Sequence, residues 1–216
     1  MSQWMIYGAN GYTGALIARE AKRRGMNPVL AGRSADKLAP LATELGLEPR
    51  AFTLDAAAGA LSDIDIVLHC AGPFSATSAP MIEACLASGT HYLDITGEIP
   101  VFEAAKAQDE RAKKAGVVLC PGVGFDVVPT DCVALALKQA LPDADWLRLG
   151  FDSDSPLSPG TAKTTVEGLL MGLLVRENHQ IKSYPQMSRQ RKIDFGHGEV
   201  DAAAISWGDV STAFHN

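Results

Sequence analysis

Gly8-Ala9-Asn10-Gly11-Tyr12-Thr13-Gly14 is the stretch whose reading decides the fold. It directly follows the apolar run Trp4-Met5-Ile6-Tyr7, which reads as a buried strand. It opens residues 12–24, which read as an amphipathic helix. Leu16, Ile17 and Ala21 lie on one face and Arg19, Glu20 and Arg23 on another. The spacing is GxxGxxG rather than GxGxxG. In this setting Gly8 permits a tight turn, Gly11 lets backbone approach a pyrophosphate, and Gly14 lets the helix pack against the strand. The helix N-terminus then offers unpaired N–H groups and a positive dipole end to phosphate. Lys22, Arg23 and Arg24 suit the opposite end of the dipole, and Gly25 stops the helix.

Strand and helix signals keep alternating downstream. Residues 28–31, 50–54, 64–69, 91–95 and 117–120 read as strands. Residues 35–45, 78–88, 101–115 and 131–141 read as helices, with Ser34 as an N-cap and Gly46 as a stop for the first of these. Such repeated units imply a parallel sheet with helices on both faces and right-handed crossovers. The pattern changes after Pro142. Residues 146–151 alternate like a half-exposed strand. Residues 161–176 carry an apolar helical stripe at 166, 169, 170, 173 and 174, and residues 177–197 are polar and basic with little periodicity. The fold class is therefore α/β: a Rossmann doubly wound parallel sheet over residues 1–142, followed by part of a smaller mixed α/β domain over 143–216.

The choice of dinucleotide turns on the end of the second strand. An NAD site places an acid there to accept from the ribose 2′-OH. This chain has Gly32-Arg33-Ser34, with Lys37 one turn later. A guanidinium can clamp a 2′-phosphate bidentately and Ser34 can donate to it, so the expected cofactor is NADP. The competing reading is a surface arginine beside a helix cap. Asp55, after the third strand, faces the adenine or is a solvated loop acid. Cys70-Ala71-Gly72-Pro73-Phe74 follows the fourth strand, where the small residues Ala71, Gly72 and Pro73 let ribose and nicotinamide lie against backbone.

The acids available for proton transfer lie further on. Asp94 sits at the end of its strand in His91-Tyr92-Leu93-Asp94-Ile95-Thr96-Gly97-Glu98, at the sheet edge where ligands bind. Glu98 follows in the loop, and Asp126 closes Pro121-Gly122-Val123-Gly124-Phe125-Asp126. Asp94, Glu98 and Asp126 are the candidate catalytic residues, with Tyr92 and His91 behind them. For Asp94 and Asp126 the alternative is a carboxylate that holds a backbone turn.

Bulk properties narrow the class. A formal charge of -6 argues against nucleic-acid binding. No apolar run approaches the roughly 20 residues of a membrane span, and no signal peptide is read at the start, so a cytoplasmic protein is expected. Cys70, Cys85, Cys120 and Cys132 match no zinc spacing and read as reduced structural thiols. The five histidines show no ligand spacing, so no metal is expected. No tyrosine has a lysine four residues on, against a short-chain dehydrogenase.

Taken together, the glycine loop, Ala31-Gly32-Arg33-Ser34, Cys70-Ala71-Gly72-Pro73-Phe74, residues 90–98 and residues 121–126 resemble the saccharopine dehydrogenase-like oxidoreductases, in particular the branch that includes trans-acting enoyl reductases. The resemblance is good to about Phe151 and looser through Gly160-Thr161-Ala162 and Ser206-Trp207-Gly208-Asp209. It implies an NAD(P)-binding domain followed by a mixed α/β substrate domain, with hydride exchanged with an imine-type or enoyl-type small-molecule or acyl substrate. In that family the chain usually runs on past this point. The end at Asn216 reads as a C-terminal truncation, or as a surface completed by homo-oligomerisation through residues 143–216. A non-catalytic NADP-binding sensor and an inactive remnant are the alternatives to an enzyme.

Overall fold

The computed structural model describes residues 3–153 and 172–215. The chain forms two compact units: Met1–Thr96 with Pro100–Gly124, and Gly97–Ile99 with Phe125–Asn216. The sequence reading divides the chain at 142/143, whereas the contacts group residues 125–142 with the second unit.

The first unit is built on a six-stranded parallel sheet of order β3-β2-β1-β4-β5-β6. Its strands are β1 (Trp4–Tyr7), β2 (Val29–Gly32), β3 (Pro49–Ala51), β4 (Ile66–His69), β5 (His91–Asp94) and β6 (Leu119–Cys120). The apolar runs form central strands because both of their faces are covered. On one face Met5, Tyr7, Val67 and Tyr92 pack with Met81, Ile82 and Cys85 of α4 (Phe74–Ser88). On the other, Ile6 and Leu30 pack with Ala18 of α1 (Tyr12–Arg23) and with Leu38 and Leu41 of α2 (Ala35–Leu45). Tyr7 is in register with Ala31 on one side and His69 on the other. The strand order reverses between β1 and β4, so the loops after these two strands flank the crevice where such sheets bind ligands.

Three boundaries differ from the sequence reading. The helix expected from 78 begins at Phe74, directly after Pro73. The strand expected over 50–54 gives way to a 3-10 turn at Leu54–Ala56 and a short α3 (Ala57–Ala60). The helix expected over 101–115 is two, α5 (Ile99–Lys106) and α6 (Asp109–Ala115). The break falls where Gln108 leaves α-geometry. Asp109 and Glu110 start a fresh dipole, with Lys113 and Lys114 at its far end.

Among its described residues the second unit holds α7 (Val128–Ala140), two antiparallel hairpins and α8 (Asp209–Thr212). Residues 146–151 are not a strand: they alternate but have no ladder partner among the described residues. The Trp146 side chain is 74% exposed, and Phe151 packs on Trp207 with ring centroids 4.7 Å apart. Most of the helix expected over 161–176 lies outside the described residues, but its end does not. Leu173–Glu177 is strand β7, paired with β8 (Gln180–Tyr184) through a two-residue turn. Asn178 and His179 both have positive φ there (49° and 66°), as such a turn requires. The polar stretch further on contains β9 (Gln190–Asp194) and β10 (Glu199–Ala203). Asp194 closes their loop by accepting from the backbone of Gly196 and Gly198. Among the described residues no helix is long and apolar enough to cross a membrane.

Candidate functional site

The glycine loop is bounded by two backbone approaches. Gly8 sits at φ +85°, and a Cβ placed on it would lie 2.9 Å from the Cβ and the nitrogen of Ala71. A Cβ on Gly14 would strike the carbonyl oxygen of Gly8, so α1 rests directly on the loop. Gly11 precedes α1, and the first-turn N–H groups of Tyr12, Thr13 and Gly14 are those that a helix leaves without intrahelical partners. No acid occupies that turn to compete for them. Asn10 reaches sideways: its Oδ1 would be 2.8 Å from a Cβ on Gly32, so the bare α-carbon at the end of β2 makes room for it. A helix N-terminus lined by glycine fits the pyrophosphate of a dinucleotide.

Beyond β2, the Arg33 side chain is exposed and makes no hydrogen bond or ion pair with a described residue. Arg19, Arg23, Arg24, Arg50 and Arg111 all have acidic partners. Ser34 occupies the N-cap position of α2, but its hydroxyl makes no capping bond. Lys37 is exposed one turn on. Asp55 is exposed in the 3-10 turn, its carboxyl held below the ordinary range by Thr53 and by its own backbone. Tyr7 ties this corner together. Burial pushes its phenol up, while the charge of Arg33 pulls it down and that of Asp55 pushes it up. The Tyr7 hydroxyl donates to the carbonyl of Phe52 at 3.2 Å.

Ala71, Gly72 and Pro73 form the turn between β4 and α4, and the Gly72–Pro73 peptide is cis. Two residues that spacing did not single out support it. The Thr77 hydroxyl lies 2.8 Å from the carbonyl of Ala71 and 3.0 Å from that of Pro73, and His69 Nε2 lies 2.9 Å from the same hydroxyl. Nothing in the sequence marks them, because their roles exist only once β4 and α4 are packed.

Asp94 is fully buried and accepts from both loops that follow the neighbouring strands. The Tyr92 hydroxyl donates at 2.6 Å, the Thr96 N–H at 2.9 Å and the Gly122 N–H at 2.8 Å. It thus fixes the starts of the two loops that carry Glu98 and Asp126. His91, a weaker acid candidate, uses Nδ1 to accept from the Val118 N–H at 3.0 Å. Asp126 and Glu98 belong to the second unit. There the Asp126 carboxyl lies where a side chain on Gly97 would be, and burial raises its pKa above the ordinary 3.8.

The four cysteines are free. Cys85 is buried and Cys70 half-buried, but Cys120 and Cys132 are exposed, so burial accounts for only part of the expectation of structural thiols. Among the described residues no group of three or more metal-type side chains converges.

Residues 4–120, more than half of the chain, match the family model described as the saccharopine dehydrogenase NADP binding domain. A human saccharopine dehydrogenase-like oxidoreductase is 29% identical over 150 residues, covering 59% of this chain and 35% of the relative. A Mycobacterium tuberculosis protein named as a trans-acting enoyl reductase is 30% identical over 148 residues, covering 63% of this chain and 35% of the relative. The chain thus spans about a third of the length of these relatives. The apo structure of the glutamate-forming saccharopine dehydrogenase of Saccharomyces cerevisiae superposes with a TM-score of 0.65. It covers 91% of this chain and 48% of the other at 14% identity, which is a likeness of fold. On its matched domain, whose cofactor is NADP, this chain belongs to the saccharopine dehydrogenase NADP-binding-domain family.

Proposed function

We propose that the chain holds NADP(H) along the carboxyl edge of its parallel sheet and serves hydride transfer to or from an imine-type or enoyl-type substrate. The observation that carries this reading is Arg33: an exposed guanidinium without a partner among the described residues, next to a serine hydroxyl that leaves its own helix uncapped. Arg33, Ser34 and Lys37 would take the 2′-phosphate, and Asp55 would sit toward the adenine. Gly8, Asn10, Gly11, Tyr12, Thr13 and Gly14 would cradle the pyrophosphate. Ala71, Gly72 and Pro73 would back the ribose and nicotinamide. The bound cofactor supplies the hydride; the protein binds and orients it.

The reduced product also needs a proton. Asp126 is the favoured donor, because burial keeps its carboxyl protonated over a wider pH range than an exposed acid. Glu98 is the second candidate. Asp94, accepting from the Tyr92 hydroxyl and from the N–H groups of Thr96 and Gly122, acts by holding the two loops in place.

Calorimetric titration with NADPH and NADH tests the cofactor assignment. NADPH should bind at least tenfold more tightly, and equal affinity would remove the role given to Arg33. Oxidation of bound NADPH by imine-type and enoyl-type acceptors tests the reaction. Tight NADPH binding with no turnover on either class would favour the sensor reading. The chain is further proposed to be cytoplasmic, in keeping with its four free thiols, and to self-associate through residues 143–216. Exposed Trp146 and Leu147 support that contact. Sedimentation of the wild type against Trp146→Glu tests it, and a monomeric wild type would refute it.

A further inference from the structure

His69 ends β4, fully buried, in a cluster of rings on the α4 side of the sheet. Its ring centroid lies 5.5 Å from Tyr7, 5.5 Å from Phe74, edge-on, and 6.2 Å from Tyr92. Among the described residues its one polar contact is Thr77, in the first turn of α4.

Proton counting settles the direction of that contact. A threonine hydroxyl has one hydrogen to donate, and the carbonyls of Ala71 and Pro73 can only accept. The Thr77 hydrogen is therefore shared between those two carbonyls, 2.8 and 3.0 Å away. The nitrogen at 2.9 Å must then be the donor, so His69 carries its hydrogen on Nε2. Nδ1 is left as a bare lone pair, and it is indeed buried with no hydrogen-bond partner among the described residues. Burial pushes the imidazole down to about 3, so the ring is neutral at any working pH. An unpartnered buried acceptor costs stability. It is kept here on a ring whose other nitrogen serves a turn.

We propose that His69 and Thr77 are positioning residues for the nicotinamide half of the cofactor. The relay runs from His69 Nε2–H to the Thr77 hydroxyl and on to the carbonyls of Ala71 and Pro73. It turns both carbonyls toward α4 and fixes the path of the chain between them. The same turn abuts the glycine loop, because Ala71 lies against the bare α-carbon of Gly8. The proposal rests on the reading that residues 71–73 back the nicotinamide.

The test compares two ligands on the whole chain. NADPH probes the full site, and adenosine 2′,5′-bisphosphate probes the adenine half alone. Thr77→Val removes the hydroxyl at nearly constant shape, and Thr77→Ser restores it. Thr77→Val should weaken NADPH about tenfold, as the loss of a shared buried hydrogen bond implies, and leave the bisphosphate within about twofold. Thr77→Ser should recover NADPH binding. An unchanged NADPH affinity in Thr77→Val, or an equal loss for both ligands, overturns the proposal. A wild type that binds neither ligand overturns the cofactor-site reading itself. If Thr77→Val does not fold, nitrogen NMR of wild-type His69 decides. The Nε2–H tautomer, unchanged between pH 5 and 8, is expected, and an Nδ1–H tautomer or a titrating ring refutes the relay.

Discussion

Gly8 and Ala71 meet across the crevice with no room for another carbon: a methyl on Gly8 would lie 2.9 Å from the Ala71 Cβ and 2.9 Å from its nitrogen. Gly8→Ala must also hold φ near +85°, where a side chain is strained. The two effects together should destabilise the first unit by about 2–4 kcal/mol. Chemical denaturation of wild type and variant measures this. A cost below about 0.5 kcal/mol would mean that the loops are not in contact in solution.

Arg33→Ala should act on one ligand and spare the other. Hydrogen bonds to a charged phosphate are worth about 1.5–3 kcal/mol, so NADPH affinity should fall by roughly 10- to 150-fold. NADH, which lacks the phosphate, should bind as before. Because Arg33 has no partner to lose among the described residues, the melting temperature of the unliganded chain should not change. A variant that weakens both dinucleotides alike would place the arginine elsewhere than on the 2′-phosphate.

Asp126 gives a pH signature. Its pKa is raised by burial, so the protonated, donating form persists above the ordinary carboxylate range. Turnover in the reducing direction should be level at low pH and fall as pH rises through that raised value. Asp126→Asn should lose this limb and about 10²–10⁴ in rate while still binding NADPH. An unchanged profile in the variant would transfer the role to Glu98.

The second unit has its own pH dependence. Thr130 of α7 donates to Asp209 at 2.9 Å, and Thr212 of α8 donates to Asp131 at 2.9 Å. Burial pushes Asp209 up from the ordinary 3.8 to about 6. The folded chain thus holds this proton more tightly than the unfolded one. The stability it contributes is full below about pH 4 and is lost as pH rises through about 6. Partial exposure screens the effect to about 1 kcal/mol. Asp209→Asn should flatten the unfolding free energy of the unit across that window, and a slope identical to wild type would exclude the residue.

The first unit was legible because its signals are local and mutually consistent. An apolar strand, a glycine turn and an amphipathic helix fall within twenty-odd residues, and Arg33 stands at a fixed offset from the next strand. The second unit was not. Leu173 and Leu174 are apolar neighbours that suit a helix stripe or a strand equally, and periodicity over so short a run cannot separate them. The turn that makes them a strand uses Asn178-His179, without the glycine that signals such turns. Strand β9 is polar at four of its five positions, and β10 alternates only over Glu199-Val200-Asp201-Ala202 with no large apolar residue beyond Val200, so the pair carries too weak a pattern to mark it. Within the site, the glycines, Arg33 and the acids could be named from spacing. The bonding of Asp94 to Thr96 and Gly122, and of Thr77 to the turn before it, is set by packing and has no sequence pattern.

The division into two units also parts the three tryptophans. Trp4 opens β1 in the first, whereas Trp146 and Trp207 lie in the second. Each unit therefore carries its own intrinsic emitter. Trp4→Phe leaves indole fluorescence as a readout of the second unit alone, and joint exchange of Trp146 and Trp207 leaves it as a readout of the first. Urea curves from the two variants then give each unit its own midpoint without any attached label.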